Sequence, residues 1–208
     1  MKSGLPTDRF NSEWRAVSTV QECSVSGVDA FIQAHYLRKR PAIVMLALKM
    51  IVCGEPVGAI IYSMPARETI RRYGGMTWEL ARLYLLDEIP RNAETWLIAK
   101  SVNIIKRHFK NVQYLVSYAD PSHGHTGLIY KAANWKEDGI QDDERKTPRG
   151  DYFDIATGKK YGRAANIPKG VSTERRPRVP KFRFVLKIQD RPTCNKSEVA
   201  PIQESLFL

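Results

Sequence analysis

Residues 78–118 constrain this chain more than any other stretch. A β-rich run at 78–86 leads into the polar loop Pro90-Arg91-Asn92-Ala93-Glu94-Thr95. Ile98, Val102, Ile105 and Phe109 then recur at helical spacing, and a second β-rich run follows at 112–118. Apolar residues spaced three and four apart share one face of a helix, and short β-branched runs read as strands. Strand, helix and strand in that order predict two adjacent parallel strands joined by a crossover helix, so the chain is expected to be α/β.

The flanks fit that frame. Residues 14–20 read as a first strand, and Ser26 is placed to cap a helix carrying Val28, Phe31, Ile32 and His35 on one face. Residues 43–52 and 57–64 read as a hairpin turning at Cys53-Gly54-Glu55-Pro56. Residues 65–76, with Arg67, Arg71 and Arg72, read as a loop, and a short helix is expected at 125–133. Beyond Trp135 the pattern weakens: 136–180 reads as a charged insertion with a strand at 151–155. Residues 182–188 alternate as a closing strand, with Phe182, Phe184 and Leu186 on one face. A loose terminus (1–13) and a tail (189–208) bracket one domain.

Charge is unevenly placed. The chain has 33 Lys and Arg against 22 Asp and Glu, yet 145–191 alone holds 14 against 4. Basic charge gathered in the last third points to a polyanion such as double-stranded DNA, with Arg67, Arg71, Arg72, Arg175, Arg176, Arg178 and Lys181 as candidate phosphate contacts. A solvated basic tail is the alternative. Three scattered cysteines, Cys23, Cys53 and Cys194, suit neither a disulfide framework nor paired zinc ligands. No apolar run is long enough to span a bilayer, so no membrane is expected and a reducing cytoplasm is.

The residues able to carry chemistry sit at element junctions. Arg91 and the N–H groups of Ala93, Glu94 and Thr95 can hold a pyrophosphate, although Asn92 and Glu94 equally suit a plain capped helix. Arg82, mid-strand among apolar residues, either pairs with Asp120 or Glu79 or faces a ligand. Asp120 precedes Pro121 and either organises a turn or accepts a proton from, or orients, a substrate amine; alternation puts Tyr118 on its side and Ser117 on the other. His35 lies on an apolar helix face and Tyr130 on the last helix, and each is a candidate for core or site. His123 and His125 read as a turn.

His35-Tyr36, Glu79-Leu80-Ala81-Arg82-Leu83, Arg91 through Trp96, Ser117-Tyr118-Ala119-Asp120 and Ile129-Tyr130 with Ala132-Ala133-Asn134-Trp135 together resemble the Mom family of phage DNA-modification proteins. The resemblance implies a GNAT-like mixed sheet flanked by helices, here with a basic C-terminal extension. It implies conversion of adenine N6 in DNA to the methylcarbamoyl form, protecting phage DNA from host restriction inside the infected bacterium. It further implies an acetyl-CoA or related CoA thioester donor, and a catalytic set of His35, Tyr36, Arg82, Ser117, Tyr118, Asp120 and Tyr130, with Tyr130 donating to the leaving thiolate. Iron enters as a candidate metal, with His35 and Asp120 as ligands. A conventional N-acetyltransferase and a non-enzymatic basic DNA-binding protein are the competing readings.

Overall fold

A computed structural model describes residues 13–189 except Gly75, Asp142, Glu144, Arg145 and Pro148. The elements run β1 (Ser18–Glu22), α1 (Asp29–Ala34), β2 (Val44–Val52), β3 (Glu55–Ser63), α2 (Arg67–Tyr73), β4 (Met76–Leu85), α3 (Ala93–His108) and β5 (Val112–Ala119). They continue with α4 (Leu128–Ala132), β6 (Lys136–Ile140), β7 (Gly150–Asp154), β8 (Lys160–Tyr161), β9 (Thr173–Pro177) and β10 (Phe182–Lys187). Seven strands form one mixed sheet in the order β1-β2-β3-β4-β5-β10-β6, and β8-β7-β9 form a second, antiparallel one.

The crossover unit is as expected: β4 and β5 are parallel neighbours joined by α3. Alternation along β2 and β3 gives the main sheet two apolar faces. Ala47, Ala59 and Ile61 pack on one side against Val28 and Ile32 from the α1 region. Leu48, Met50, Ile60 and Tyr62 pack on the other against Leu97, Ile98, Val102 and Ile105. Inside that second layer the Tyr62 hydroxyl finds Ser101 Oγ at 2.7 Å, which satisfies both buried polar groups. Phe184 of β10 is fully buried against Tyr130 at 5.2 Å, and Gly127 makes this possible: its φ is +80°, and a Cβ there would sit 2.1 Å from the Phe184 ring.

Several expectations change. Residues 65–76 are not a plain loop, because α2 forms within them. Glu68 in its first turn and Arg71 and Arg72 in its last complement the helix dipole, and Gly74 closes it at φ 62°. Ser24, not Ser26, caps the short turn before α1, accepting from Gly27 N–H. The first strand starts at Ser18. The stretch 136–180 holds strands: β6 joins the main sheet, and β7, β8 and β9 form the second one. The basic segment is therefore part of the fold between β6 and β10, and no basic C-terminal extension is shown among the described residues. The terminus at 1–12 and the tail from 190, with Arg191 and Cys194, lie outside those residues, as does Arg145.

Candidate functional site

β4 and β5 stay paired only from Met76↔Val112 to Glu79↔Val116. β4 then runs on against β3, and β5 against β10. A register shift between Ile61 and Tyr62 leaves Ala81 as an extra residue in β4, and such a bulge strengthens local twist. The two strands therefore part after Glu79. Ser117 Oγ stands 2.8 Å from both the Leu80 carbonyl and the Tyr130 hydroxyl. The Ser117 hydroxyl donates toward both of these oxygens. The fork opens a cleft of about 480 Å³ lined by Leu83, Tyr84, Leu85, Ala119 and the start of α4. Along it, the β4 edge facing the cleft has lost β5 as partner, so an extended, amide-bearing chain can pair with it.

His35 and Tyr36 close one end of this cleft. The His35 ring is buried, and Nδ1 accepts from Leu37 N–H at 3.1 Å. Burial first, then the charges of Arg82, His125, His123 and Lys181, push its pKa down to about 4. The ring is neutral at pH 7, and with Nδ1 accepting, Nε2 carries the proton and is the donor. Tyr36 stacks on His35 at 4.3 Å and on His123 at 4.4 Å, with His125 edge-on at 5.1 Å. Sequence reading missed His123 and His125, because their sequence neighbours signal only a turn. Burial, followed by the Asp120 charge, raises the Tyr36 phenol.

Arg82 pairs with neither expected carboxylate. Its Nε and Nη2 donate to the Lys39 carbonyl at 3.0 and 2.9 Å, tying the segment after His35 to β4. Asp120 organises its turn: Oδ1 accepts from Ser122 N–H at 3.1 Å, and Oδ2 lies 2.9 Å from Lys181 Nζ. Burial alone would raise this carboxyl; the hydrogen bonds from Ser122 and Lys181 outweigh it and hold the pKa down to about 2. A carboxylate so low is a weak proton acceptor.

Glu79 has the opposite character. It sits at the fork, lining a niche of about 120 Å³ with Tyr36, Arg82, Tyr118 and Lys181. No hydrogen bond or ion pair within 4 Å engages it among the described residues. Burial drives its pKa up to about 7, and Arg82 and Lys181 only moderate the rise. A carboxyl poised near neutrality beside a cleft suits proton abstraction. The sequence carried a signal for it, a lone carboxylate between Trp78 and Leu80 in an apolar strand.

At the far end of the cleft α3 begins. Asn92 stands at the cap position with φ 70° but makes no side-chain cap bond, so the capping expectation fails. Ala93 N–H is used by the Pro90 carbonyl at 3.3 Å, whereas Glu94 and Thr95 N–H have no backbone acceptor among the described residues. Those two donors and the exposed Arg91 suit a phosphate, although the side chains lining this end of the cleft are the acidic Asp87 and Glu94. The open β4 edge and the free N–H groups fit a CoA-type donor.

The metal expectation is corrected. Among the described residues no three His, Cys, Asp or Glu side chains gather to hold an ion. His35 Nδ1 and the Asp120 carboxylate are already engaged, so iron on that pair is not supported. The basic residues divide. Arg72 pairs with Asp138 and Asp143, Arg178 with Asp151, and Lys181 with Asp120, so these three serve internal carboxylates. Arg67, Arg71, Arg175 and Arg176 are exposed. Ser117 and Tyr118 point to opposite faces, the first toward Tyr130 and the second to Thr69 Oγ1 at 2.8 Å. No helix among the described residues is long and apolar enough to cross a membrane.

Comparison with known proteins gives the family and the fold. The model of the Mom protein family matches residues 17–197. A 57-residue stretch is 35% identical to Methylcarbamoylase mom of Escherichia phage Mu; it covers 27% of this chain and only 24% of that protein's length. In fold the chain is similar to the aminoglycoside acetyltransferase AAC(6')-Ib in complex with coenzyme A and kanamycin. The TM-score is 0.51 at 11% identity, over 82% of this chain and 94% of that one. It is similarly close to the ribosomal-protein-S5-alanine acetyltransferase of Vibrio fischeri, with a TM-score of 0.51 at 9% identity over 84% and 94%. The architecture is that of the GNAT acetyltransferases.

Proposed function

The chain belongs to the Mom protein family, and from that premise we propose that it is a phage DNA-modification transferase. It converts adenine N6 in DNA to the methylcarbamoyl form with a CoA-type donor, and so shields phage DNA from host restriction. The observation that carries this reading is the fork itself. A cleft shaped for an extended donor meets, at Glu79, a carboxyl tuned near neutral pH.

A CoA thioester, when bound, would supply an activated acyl carbon and a thiolate leaving group; its aminolysis alone gives N6-acetyladenine, so the CH2–N6 bond and the amide nitrogen of the methylcarbamoyl group require a further co-reactant. The chain's own residues position the reactants and move the proton. Adenine N6 is a poor nucleophile, because its lone pair is delocalised into the ring, and it must shed a proton as its new bond to carbon forms. Glu79 takes that proton. The β4 edge from Leu80 to Leu85 aligns the donor, and the Glu94 and Thr95 N–H groups with Arg91 receive its phosphates. His35 Nε2–H is the neutral donor at the reactive end, and Tyr36 and Tyr130 are the phenols close to it. Burial lifts Tyr130 up to about 12, against the lowering hydrogen bond with Ser117, so it stays protonated.

Mass spectrometry of nucleosides from cells expressing the parent and Glu79→Gln tests the reading. A modified deoxyadenosine in the first and none in the second is expected. Acylated proteins or small amines with unmodified DNA would instead mark a conventional N-acetyltransferase. DNA binding with no transfer at all would mark a non-enzymatic protein.

A further inference from the structure

The donor cleft is not a dead end. Tyr118 lines the cleft, the Glu79 niche and a third cavity of about 520 Å³ on the α2 side. Ala66 and Gln141 line both the niche and that third cavity. The three spaces thus follow one another across the sheet, donor side to acceptor side, with Glu79 between them.

The acceptor-side cavity has the chemistry of a nucleotide site. Its wall carries Arg71, Arg72, Arg149 and Arg183 against Glu68 and Asp143. Arg72 and Arg183 are clamped by Asp138 and Asp143, and Arg149 by Glu68 at 3.1 Å, which makes the wall stiff. Arg71 has no hydrogen bond or ion pair among the described residues, so one cation at the cavity is open to a phosphate. Tyr118 is an aromatic ring at the neck, held at its hydroxyl by Thr69.

Gln141 is the specific element. Its backbone N–H donates to the Lys181 carbonyl at 2.7 Å, which fixes its position at the end of β6. Its half-buried side-chain amide has no hydrogen-bond partner among the described residues. A primary amide offers one acceptor and one donor side by side, the complement of adenine's N6–H and adjacent ring nitrogen.

We propose that this cavity takes the target nucleotide extruded from DNA and that Gln141 reads it as adenine along its Watson–Crick edge. Gln141 Nε2 donates to N1 and Oε1 accepts one N6–H, which leaves the second N6–H for Glu79. Extrusion frees that edge, which is paired in the duplex. The assignment rests on the function proposed above and adds the residue that selects the base.

Equilibrium binding of dAMP and dGMP to the full chain tests it, with coenzyme A binding as the check on folding. The parent is expected to prefer dAMP about tenfold or more. Gln141→Ala should lose that preference while still binding coenzyme A. Gln141→Glu should reverse it, because a carboxylate accepts from guanine N1–H and N2–H together but cannot donate to adenine N1. A purely structural Gln141 would not exchange one base for the other. Absence of a dAMP preference in the parent, or parent-like selectivity in both variants, overturns the assignment. If the preference follows Gln141 while cellular DNA stays unmodified, the nucleotide pocket stands and the reaction proposed above falls instead.

Discussion

In the seven-stranded sheet Leu48, Met50, Ile60 and Tyr62 are wholly enclosed between strand faces and α3. In the three-stranded sheet the most enclosed side chain is a carboxylate, Asp151, held by Arg178 and by Lys160 at 2.7 Å. Each large aliphatic side chain buried in the first sheet contributes about 1.5–3 kcal/mol. The ion pairs of the second are half exposed, and such pairs add little net stability, although breaking one is expensive. One sheet is rigid enough to hold a proton acceptor at a raised pKa. The other keeps an exposed basic face on a scaffold of paired charges. The contrast predicts that substitutions in the first region act on chemistry, and those in the second on local folding and on binding polyanions.

The largest expected effect is at the fork. Glu79→Gln should lower DNA modification at least a hundredfold, the scale of a lost general base. In the parent, activity should fall about tenfold per pH unit below about 7, as the carboxyl takes up its proton. The stability sign is opposite. The folded pKa is raised above the ordinary value, so what this group contributes is full below about pH 4.5 and is lost as pH climbs through 7. At pH 8 the buried charge costs on the order of 2–3 kcal/mol, which Gln removes. Thermal unfolding should find Glu79→Gln more stable than the parent at pH 8 and equal to it near pH 4. Full activity in the variant, or a lower midpoint at pH 8, would break the assignment of this region to chemistry.

Next in size is Asp151→Asn. It strips the charge that two cations share in the second sheet, and about 2 kcal/mol or more of local stability should go with it. Hydrogen exchange should quicken across β7, β8 and β9 while β2 through β5 keep their protection. Equal loss across both sheets would show one cooperative unit in place of two regions.

That difference also explains what the sequence disclosed. The crossover unit, the 43–64 hairpin and the buried face of α3 were legible because apolar period translates directly into packing. β7 was legible as a strand at 151–155, but the second sheet it builds with β8 and β9 was not, because Asp151 is 27 residues from Arg178 and nothing local announces their pairing. α2 was legible in principle from Glu68, Arg71, Arg72 and Gly74, but three arginines close together read as a phosphate-binding loop. Within the site, His35, Tyr36, Tyr118 and Tyr130 line the cleft, and Ser117 is buried behind Tyr130. Glu79 was read only as a partner for Arg82, because its raised pKa comes from burial at a fork that only the tertiary structure creates.

The basic face separates the two roles further. Arg175 and Arg176 are exposed on β9, and Arg176 pairs with an equally exposed Glu174 at 2.8 Å and lies over the Phe153 ring at 4.9 Å. Charge reversal at both should weaken DNA binding across sequences and lower the salt slope by about two, one for each lost phosphate contact. Reversal at Arg178 should behave differently, collapsing the second sheet by putting a carboxylate against Asp151. An unchanged salt slope in the Arg175 and Arg176 variant would leave the second sheet without a polyanion role.

The smallest effect returns to the cleft and asks how well its far end suits a donor. Asp87 and Glu94 line the end where the free N–H groups of Glu94 and Thr95 would take phosphates. A carboxylate and a phosphate at that range repel, but Asp87 is exposed, so solvent and salt screen the repulsion. Asp87→Asn should therefore tighten coenzyme A binding only about two- to fivefold, with the gain shrinking as salt rises. Titration of coenzyme A at low and high ionic strength reads this directly. Glu94 would be a poorer choice for the test, since it also sits favourably in the first turn of α3 and its loss would loosen the helix. If Asp87→Asn leaves coenzyme A affinity unchanged at low salt, the phosphates do not lie at the start of α3. The donor would then have to run along the β4 edge by another route.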